Sequence, residues 1–353
     1  MTRRNVHVVG TGTIGEPLIG LLCRFSKEFG IDEVTFHKRT PIHRERAKVE
    51  ALVRRGAKLV VDADVRADFE TLGHKPAYNH DEALGRATVV IDCTPAGNAN
   101  KARLYEKVDG PRGFIAQGSE FGFGKMYARG INDEALVPGV DRYLQVVSCN
   151  THNLSRMVKC ITGNDQGGLD LKNGRFLLMR RANDISQDSS FIPSPQVGGH
   201  GDEQFGTHHA RDAWHLLQTL GHDPEIFSSA VKLNSQYMHQ MHFALEMTRD
   251  TSVEEVIERM RADDWIAMTE RKSANSIFSF GRDHGFYGRI LNQSVVPTST
   301  ITVRNKREVV GFCFTPQDGN SLVSSVAAAL WYLYPEGFQE RIDAIEPYMF
   351  DEI

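Results

Sequence analysis

The strongest constraint on the fold is a glycine-rich turn near the start of the chain. Residues 5–9, Asn-Val-His-Val-Val, predict a buried strand that runs into Gly10-Thr-Gly-Thr-Ile-Gly15, and apolar residues then recur at helical spacing through residue 25. In such a strand–turn–helix the glycines permit a tight turn, a close approach of pyrophosphate and close packing of the helix on the strand. We therefore predict a Rossmann-type dinucleotide-binding domain; a glycine-rich turn in some other α/β protein is the alternative. The candidate cofactor contacts are Gly10, Gly12, Thr13, Ile14 and Gly15.

The residues after the second predicted strand indicate which dinucleotide would bind. The strand Glu33-Val-Thr-Phe-His37 runs into Lys38 and Arg39. NAD-selective domains usually place a carboxylate there for the ribose hydroxyls, whereas basic side chains pair with the 2′-phosphate of NADP. Lys38 and Arg39 thus favour NADP, with NAD as the second choice. Alternatively, both residues belong to a solvated basic stretch that continues through residues 43–48.

Two further strand ends supply candidate cofactor contacts. A strand over residues 87–92 leads into Cys-Thr-Pro-Ala-Gly, and a strand that begins at residue 113 ends in Gln-Gly. Ligands of open α/β sheets bind at the carboxyl ends of the strands. The candidates are therefore Thr94, Pro95, Gly97, Gln117 and Gly118. A purely structural turn explains Thr94 and Gly97 equally well.

Cys149 is the candidate nucleophile. It follows a short apolar strand over residues 143–147 and precedes a helical pattern, in the stretch Val146-Val-Ser-Cys-Asn-Thr151. The start of a helix carries a partial positive charge and free backbone N–H groups, which lower the pKa of a thiol and can stabilise an oxyanion. The alternative is a small buried residue, which is what most cysteines are.

The composition excludes several functional classes. At 353 residues the chain is long enough for two domains, and its net charge of −4 gives no general attraction to nucleic acid or an anionic membrane. The five cysteines are odd in number and lack CxxC spacing, which argues against a disulfide framework or a zinc cluster. The first residues lack the hydrophobic region of a signal peptide, and the apolar stretch 322–334 is too short to span a bilayer. We expect a cytoplasmic protein.

The second half of the chain carries candidate anion-binding and acid–base groups. A strand over residues 175–179 ends in Arg180-Arg181, and a loop over residues 182–207 rich in Ser, Pro and Gly leads to His208-His209. His239 lies in an apolar run, where an isolated histidine is more often a packed core residue than a base. The histidines lack an HExxH or thiolate pattern, so no metal site is expected.

Taken together, these stretches carry a family resemblance. The chain resembles the archaeal-type (type II) glyceraldehyde-3-phosphate dehydrogenases, and the shared stretches occur in family order over most of the chain. They are Gly10-Thr-Gly-Thr-Ile-Gly15, Lys38 to Pro41, Asp92-Cys-Thr-Pro, Leu104-Tyr-Glu-Lys107, Gln117-Gly-Ser-Glu120, Val146-Val-Ser-Cys-Asn-Thr151, Arg180-Arg-Ala, His208-His209 with Asp212, and Met238-His-Gln240. The Ser-Cys-Asn-Thr motif preceded by two valines is specific, whereas the glycine pattern alone is not.

The resemblance implies a fold and a division into domains. The expected class is α/β, with an N-terminal Rossmann domain and an α+β catalytic domain that has a mixed sheet. The expected boundaries are 1–148 for the first domain, completed by a C-terminal helical segment 318–353, and 149–317 for the second. A homotetramer is also implied.

The resemblance also implies the roles of the site residues. Cys149 is the nucleophile, His239 its acid–base partner, and Lys38 falls where the family contacts the 2′-phosphate of NADP. The residues that fall at substrate and phosphate positions are Asn150, Thr151, Arg180, Arg181, His208 and His209. The implied partners are a small phosphorylated aldehyde and inorganic phosphate.

The chain departs from the family pattern at several positions. Family members read Ser-Cys-Asn-Thr-Thr-Gly-Leu where this chain has His152-Asn153, and Gly-Pro-Asp where it has Ala210-Arg211-Asp212. We expect most departures to lie near the anion-binding residues. The predicted activity is oxidation of glyceraldehyde 3-phosphate to 1,3-bisphosphoglycerate. The alternatives are a related enzyme for another phosphorylated aldehyde or acyl phosphate, and a catalytically silent nucleotide-binding homologue.

Overall fold

In the computed structural model the chain divides into two compact units. The structure describes residues 3–118, 120–183, 191–316 and 318–353. The first unit comprises Met1–Tyr127, Leu136–Val146 and Leu322–Glu346, and the second comprises Ala128–Ala135, Val147–Ser321 and Pro347–Ile353. None of the described helices is both long and apolar enough to cross a membrane.

The first unit is built on a parallel sheet of eight strands. These are β1 (Asn5–Val9), β2 (Glu33–His37), β3 (Lys58–Val61), β4 (Tyr78–Asn79), β5 (Val89–Asp92), β6 (Gly113–Gln117), β7 (Lys125–Tyr127) and β8 (Tyr143–Val146). They lie in the order β4-β3-β2-β1-β5-β6-β8-β7, and every neighbouring pair is parallel. The strand order reverses direction at β1, which is the Rossmann arrangement. β1 is buried along its whole length, as a strand covered on both faces must be.

The second unit is built on a mixed sheet. Its strands are β9 (Leu171–Arg180), β10 (Gln196–Val197), β11 (Ile226–Lys232), β12 (His239–Met247), β13 (Ile266–Thr269), β14 (Ser294–Pro297), β15 (Thr302–Arg304) and β16 (Glu308–Thr315). The order is β10-β11-β9-β12-β16-β14-β13, and β15 pairs with β16. Along β12 every second residue is buried, from His239 to Met247, so one face of the sheet is packed and the other is more open. The predicted fold class, a Rossmann domain plus a domain with a mixed sheet, is confirmed.

The helices pack on these two sheets. They are α1 (Gly15–Arg24), α2 (Arg46–Arg54), α3 (Arg66–Thr71), α4 (His80–Arg86), α5 (Gly97–Arg103), α6 (Cys149–Thr162), α7 (His208–Gln218), α8 (Val253–Arg261), α9 (Ala274–His284), α10 (Gly319–Leu333) and α11 (Phe338–Ile342). Helix α6 lies against β9, β12 and β16. This contact places the start of α6 in the same unit as the end of β16 and the start of β12.

The C-terminal half of α10 packs on the sheet of the first unit. Gly113 at the start of β6 makes this possible, because a Cβ atom there would lie only 2.2 Å from the ring of Tyr332. Gln117 Nε2 at the other end of β6 donates to Ser325 Oγ over 2.7 Å. The C-terminal helix therefore completes the core beside β6.

Four short segments distinguish these units from the predicted domains, because residues 128–135, 147–148, 318–321 and 347–353 all lie in the second unit. Residues 128–135 lie in the second unit, where Lys159 Nζ donates to the carbonyl of Ile131 over 2.5 Å. Residues 347–353 also lie there, because Ile353 and Asp351 hydrogen-bond the backbone of Met268. Within the loop predicted over 182–207, residues 184–190 lie outside the described residues, and the remainder contains the short strand β10.

Candidate active site

A cavity lies at the carboxyl ends of the strands of the first unit. It measures about 360 Å³. Its walls include Gly10, Thr11, His37, Lys38, Arg39, Thr40, His80, Thr94, Pro95, Ala96, Asn100 and Arg103. The sequence placed Gly10, Lys38, Arg39, Thr94 and Pro95 in a cofactor site, and the fold brings these five together.

The glycine-rich turn has the shape that a dinucleotide needs. Gly10 has a φ of +94°, and a Cβ at Gly15 would lie 2.1 Å from the carbonyl oxygen of Gly10, so neither position accepts a side chain. A Cβ at Gly12 would meet nothing within 4 Å, which leaves open space beside the turn. Thr13 and Ile14 are half-buried and lead into α1. These features fit a pyrophosphate at the start of α1.

Lys38, in the wall of this cavity, is paired with a carboxylate, Glu45, that sequence reasoning missed. Lys38 Nζ lies 3.1 Å from Glu45 Oε2, and Lys48 Nζ lies 3.2 Å from the same oxygen. Hydrogen bonds and charge from the two lysines lower the pKa of Glu45 against the opposing effect of its burial. Arg39 is exposed. Lys38 is therefore ion-paired in this structure.

Three of the candidate cofactor residues, Gly97, Gln117 and Gly118, make structural contacts within the first unit. A Cβ at Gly97 would lie 3.1 Å from the side chain of Glu120 and 3.2 Å from that of Ala116, so this glycine allows α5 to pack closely. Gln117 holds α10 through Ser325. Gly118 has a φ of +61°, and its N–H donates to the carbonyl of Val146. Their described contacts join α5, α10 and β8 to β6.

In the second unit, Cys149 is the first residue of α6. Ser148 precedes the helix with extended backbone, and its hydroxyl oxygen accepts from the N–H of Thr151 over 3.3 Å. The Cys149 side chain is half-buried, and its carbonyl accepts from Asn320 Nδ2 over 3.0 Å. The thiol thus lies at the positive end of a 14-residue helix, in the setting that its sequence context predicted.

Thr315 joins the start of α6 to the start of β12. Its hydroxyl donates to Asn150 Oδ1 over 3.2 Å and accepts from Asn153 Nδ2 over 2.8 Å. In the antiparallel pairing of β12 and β16, Thr315 lies directly opposite His239. Asn150, the residue after Cys149, is therefore hydrogen-bonded to Thr315, and Thr315 is paired with His239 across the sheet.

The contacts of His239 determine its protonation state. The backbone N–H of Arg181 donates to His239 Nδ1 over 3.0 Å, so the neutral ring carries its proton on Nε2. Burial, together with the positive charges of Arg181 and Arg180, lowers the pKa of His239 to about 3. In this neutral form Nδ1 is an acceptor and Nε2 can donate a hydrogen bond.

A second cavity lies beside these groups and is lined by cations. It measures about 420 Å³, and its walls include Arg180, Gly198, Gly199, Gly201, Asp202, Thr207, His208, His209 and Arg211. Arg180 is exposed at the end of β9, whereas Arg181 is buried. The charge of Arg180 lowers the pKa of His208, His209 and His239, which places all three within its electrostatic reach.

The two histidines at the start of α7 differ in exposure. The ring centroids of His208 and His209 lie 3.9 Å apart, and His208 is half-buried. His209 is only 3% exposed, and neither of its ring nitrogens has a hydrogen-bond partner among the described residues. Burial lowers its pKa well below the ordinary value. A buried ring with both nitrogens unpaired fits a site that receives a polar ligand.

Asn150, Thr151 and the departures at His152 and Asn153 lie inside the second unit. Asn150 is 2% exposed, and Thr151 is fully buried with its hydroxyl on Ser148. His152 Nδ1 lies 3.0 Å from the carbonyl oxygen of Ser148. The expectation that the departures cluster near the anion-binding residues is wrong for His152 and Asn153, because both face the interior from the first turn of α6.

Several known proteins that are similar to this chain carry the same name. No model of a protein family matches the chain. A glyceraldehyde-3-phosphate dehydrogenase of Methanobacterium bryantii is 29% identical over 73% of this chain and 71% of its own length. Enzymes of the same name match at 27% in Pyrobaculum calidifontis, over 85% of this chain and 83% of that protein, and at 26% in Methanococcus maripaludis, over 85% of both.

The chain is similar in sequence to archaeal glyceraldehyde-3-phosphate dehydrogenases over most of its length. This confirms the resemblance derived from the glycine-rich turn and the Ser-Cys-Asn-Thr motif. Glu45, Thr315 and the backbone of Arg181 are the site residues that sequence reasoning missed. No local signal identifies Glu45 or Thr315, since each acts on a residue of another element. Arg211, one of the departures from the family pattern, lies in the wall of the cationic cavity.

Proposed function

We propose that the protein is an NADP-preferring, phosphorylating dehydrogenase of glyceraldehyde 3-phosphate. The observation that carries the proposal is the start of α6, where Cys149 is linked through Asn150 and Thr315 to the position of His239. The names of the archaeal relatives and the dinucleotide-shaped turn support the same reaction. A homotetramer in the cytoplasm remains the expectation from the family resemblance.

Cys149 supplies the nucleophile in this proposal. Its thiolate adds to the aldehyde carbon, and the carbonyl oxygen becomes an oxyanion. The positive end of α6 stabilises both the thiolate and this oxyanion. His239 donates to the oxyanion from Nε2, because its Nδ1 is already an acceptor for the N–H of Arg181.

A nicotinamide dinucleotide, when bound, would supply the hydride acceptor that allows the adduct on Cys149 to become a thioester. The residues that would hold this cofactor are the glycine-rich turn, Lys38, Arg39 and the Thr94-Pro95 turn. Lys38 and Arg39 provide the positive charge that favours the 2′-phosphate, and Glu45 offsets part of it. NADP preference is therefore moderate in our proposal, and NAD is also used.

Phosphate then attacks the thioester and releases an acyl phosphate and the thiolate. The cationic cavity around Arg180, His208 and His209 is the proposed site for this phosphate and for that of the substrate. Arg211, where relatives usually carry proline, also lines this cavity, and its guanidinium is ion-paired with Asp212 over 2.8 Å. This difference in the cavity wall favours a second candidate function, in which a different phosphorylated aldehyde is oxidised by the same chemistry.

Steady-state assays with NADP, phosphate and a panel of aldehydes test the proposal. We expect turnover with glyceraldehyde 3-phosphate, and none after Cys149→Ser, with NADPH binding retained. Turnover with another phosphorylated aldehyde alone would select the second candidate. Thiol alkylation should inactivate the enzyme at Cys149, with protection by substrate. A purified protein that binds NADPH but turns over no aldehyde would instead be a silent homologue.

A further inference from the structure

Three side chains with metal-ligating atoms meet at one end of the sheet in the first unit. His37 is the last residue of β2, Asp62 follows β3, and His80 begins α4. One ligand atom from each lies within 4.8 Å of the others, and His37 Nε2 is 3.1 Å from Asp62 Oδ1. Since β2 and β3 are parallel neighbours and β4 leads into α4, the topology brings these residues to the same edge.

The cluster contains buried ring nitrogens that have no hydrogen-bond partner among the described residues. His80 Nδ1 is buried without a hydrogen-bond partner among the described residues, and so is Nε2 of the fully buried His7 nearby. The rings of His7 and His80 lie 5.6 Å apart, and those of His37 and His80 lie 4.2 Å apart. A buried polar nitrogen without a partner loses its hydrogen bond to water and gains none in return, which destabilises the fold. Such atoms are expected where a ligand completes the site.

We propose that His37, Asp62 and His80 form a binding site for a divalent cation of the zinc type. Two imidazoles and one carboxylate are a donor set that zinc uses, and three protein ligands leave a position open for a further ligand. His37 and His80 also line the cavity beside Lys38, so the open position faces that cavity. Ligand atoms around zinc lie about 3.3 Å apart, so the 4.8 Å cluster contracts slightly on binding.

Charged groups of both signs act on the cluster. The carboxylates of Asp62 and Asp92 act on His37, and those of Asp62 and Asp81 act on His80. The guanidiniums of Arg39 and Arg103 act on the same two rings. Three carboxylates against two guanidiniums leave a net negative charge among these groups, which suits a cation.

Titration of the metal-free protein with Co²⁺ and Zn²⁺ tests this site without any cofactor or substrate. We expect one equivalent of Co²⁺ to give visible absorption bands of a nitrogen- and oxygen-ligated ion, and Zn²⁺ to displace it. Asp62→Asn and His80→Gln should weaken binding by more than about tenfold. His43→Gln, an exposed histidine of the same unit, is the matched control and should bind as the wild type does.

Absence of saturable binding, or equal binding by wild type and His80→Gln, would overturn the proposal. Should the variants fail to fold, zinc-soaked crystals of the wild type decide. An anomalous peak between His37 and His80 supports the site, and its absence at millimolar zinc refutes it. The dehydrogenase assays above use no added metal, so failure of one proposal is distinguishable from failure of the other.

Discussion

The backbone N–H of Arg181 donates a hydrogen bond to Nδ1 of His239, with 3.0 Å between the two nitrogens. This contact determines which ring nitrogen carries the hydrogen when the imidazole is neutral: Nδ1 accepts, so the hydrogen is on Nε2. A protonated ring would carry a hydrogen on Nδ1 and lose the bond, so the geometry and the burial both favour the neutral form. The family resemblance suggested an acid–base partner, and the structure leads us to propose an oxyanion donor.

The role of His239 predicts a specific pH dependence. With a pKa of about 3, the ring stays neutral over the working range, so it contributes no acid limb to kcat/KM above about pH 5. His239→Gln should lower kcat by about 10²–10³-fold, the usual effect of removing one oxyanion donor. The pH profiles of the variant and the wild type should be parallel. A wild-type limb near pH 6 that disappears in His239→Gln would show that the ring is the base.

The buried histidines predict a loss of stability in acid. Burial lowers the pKa of His152 to about 4 and of His239 to about 3, from 6.5 in the unfolded chain. Below 6.5 the unfolded state binds more protons than the folded state, so the free energy of unfolding falls with pH. Each ring should cost about 2 kcal/mol between about pH 7.5 and pH 5. Urea unfolding of wild type and His152→Gln measures the difference; equal slopes would contradict it.

The ion pair of Lys38 with Glu45 predicts a change in cofactor preference. Glu45→Gln removes the carboxylate that neutralises Lys38 and Lys48, so the KM for NADP should fall by about fivefold, which corresponds to about 1 kcal/mol. The KM for NAD should change little. Lys38→Met is the opposite control and should raise the KM for NADP alone. An unchanged ratio of the two cofactors in both variants would remove Lys38 from the 2′-phosphate site.

The hydrogen bonds of Thr315 to Asn150 and Asn153 predict that this hydroxyl positions the start of α6 and so affects the activity of Cys149. Thr315→Val keeps the shape but removes the hydrogen bonds to Asn150 Oδ1 and Asn153 Nδ2, so the free energy of unfolding should fall by about 1–3 kcal/mol. We also expect kcat to fall with little change in KM, because the first turn of α6 shifts. Thr162→Val in the same helix is the control, since its hydroxyl bonds only the carbonyl of Val158. Equal kcat values for the two variants would argue against positioning by Thr315.

The cationic cavity predicts a dependence on the charge of the substrate. Arg180→Met should raise the KM for phosphorylated aldehydes and for inorganic phosphate by at least about tenfold, because a charge-assisted bond contributes about 1.5–3 kcal/mol. An unphosphorylated aldehyde should be affected much less. Arg175→Met changes an exposed arginine of the same strand outside the cavity wall and serves as the control. An equal effect on charged and uncharged aldehydes would place the anion elsewhere.

Local patterns account for much of the fold. The strands predicted at residues 5–9, 33–37 and 113–117 agree with β1, β2 and β6. These strands can be predicted because each is a short run rich in β-branched or aromatic residues. The glycine-rich turn, in addition, has a steric requirement within six residues. The placement of Cys149 at the start of α6 follows from its neighbours in the chain for the same reason.

The sequence by itself determined the Rossmann turn, the position of Cys149 at a helix start and the family resemblance, since each depends on residues adjacent in the chain. Only the tertiary structure decided which groups act on them. Glu45 reaches Lys38 from the next helical segment, Thr315 reaches Asn150 from β16, and the N–H of Arg181 reaches His239 from the end of β9. The net charge beside Lys38, the tautomer of His239 and the position of Asn150 all depend on distances in space. These distances are set only when elements separated in the chain pack together.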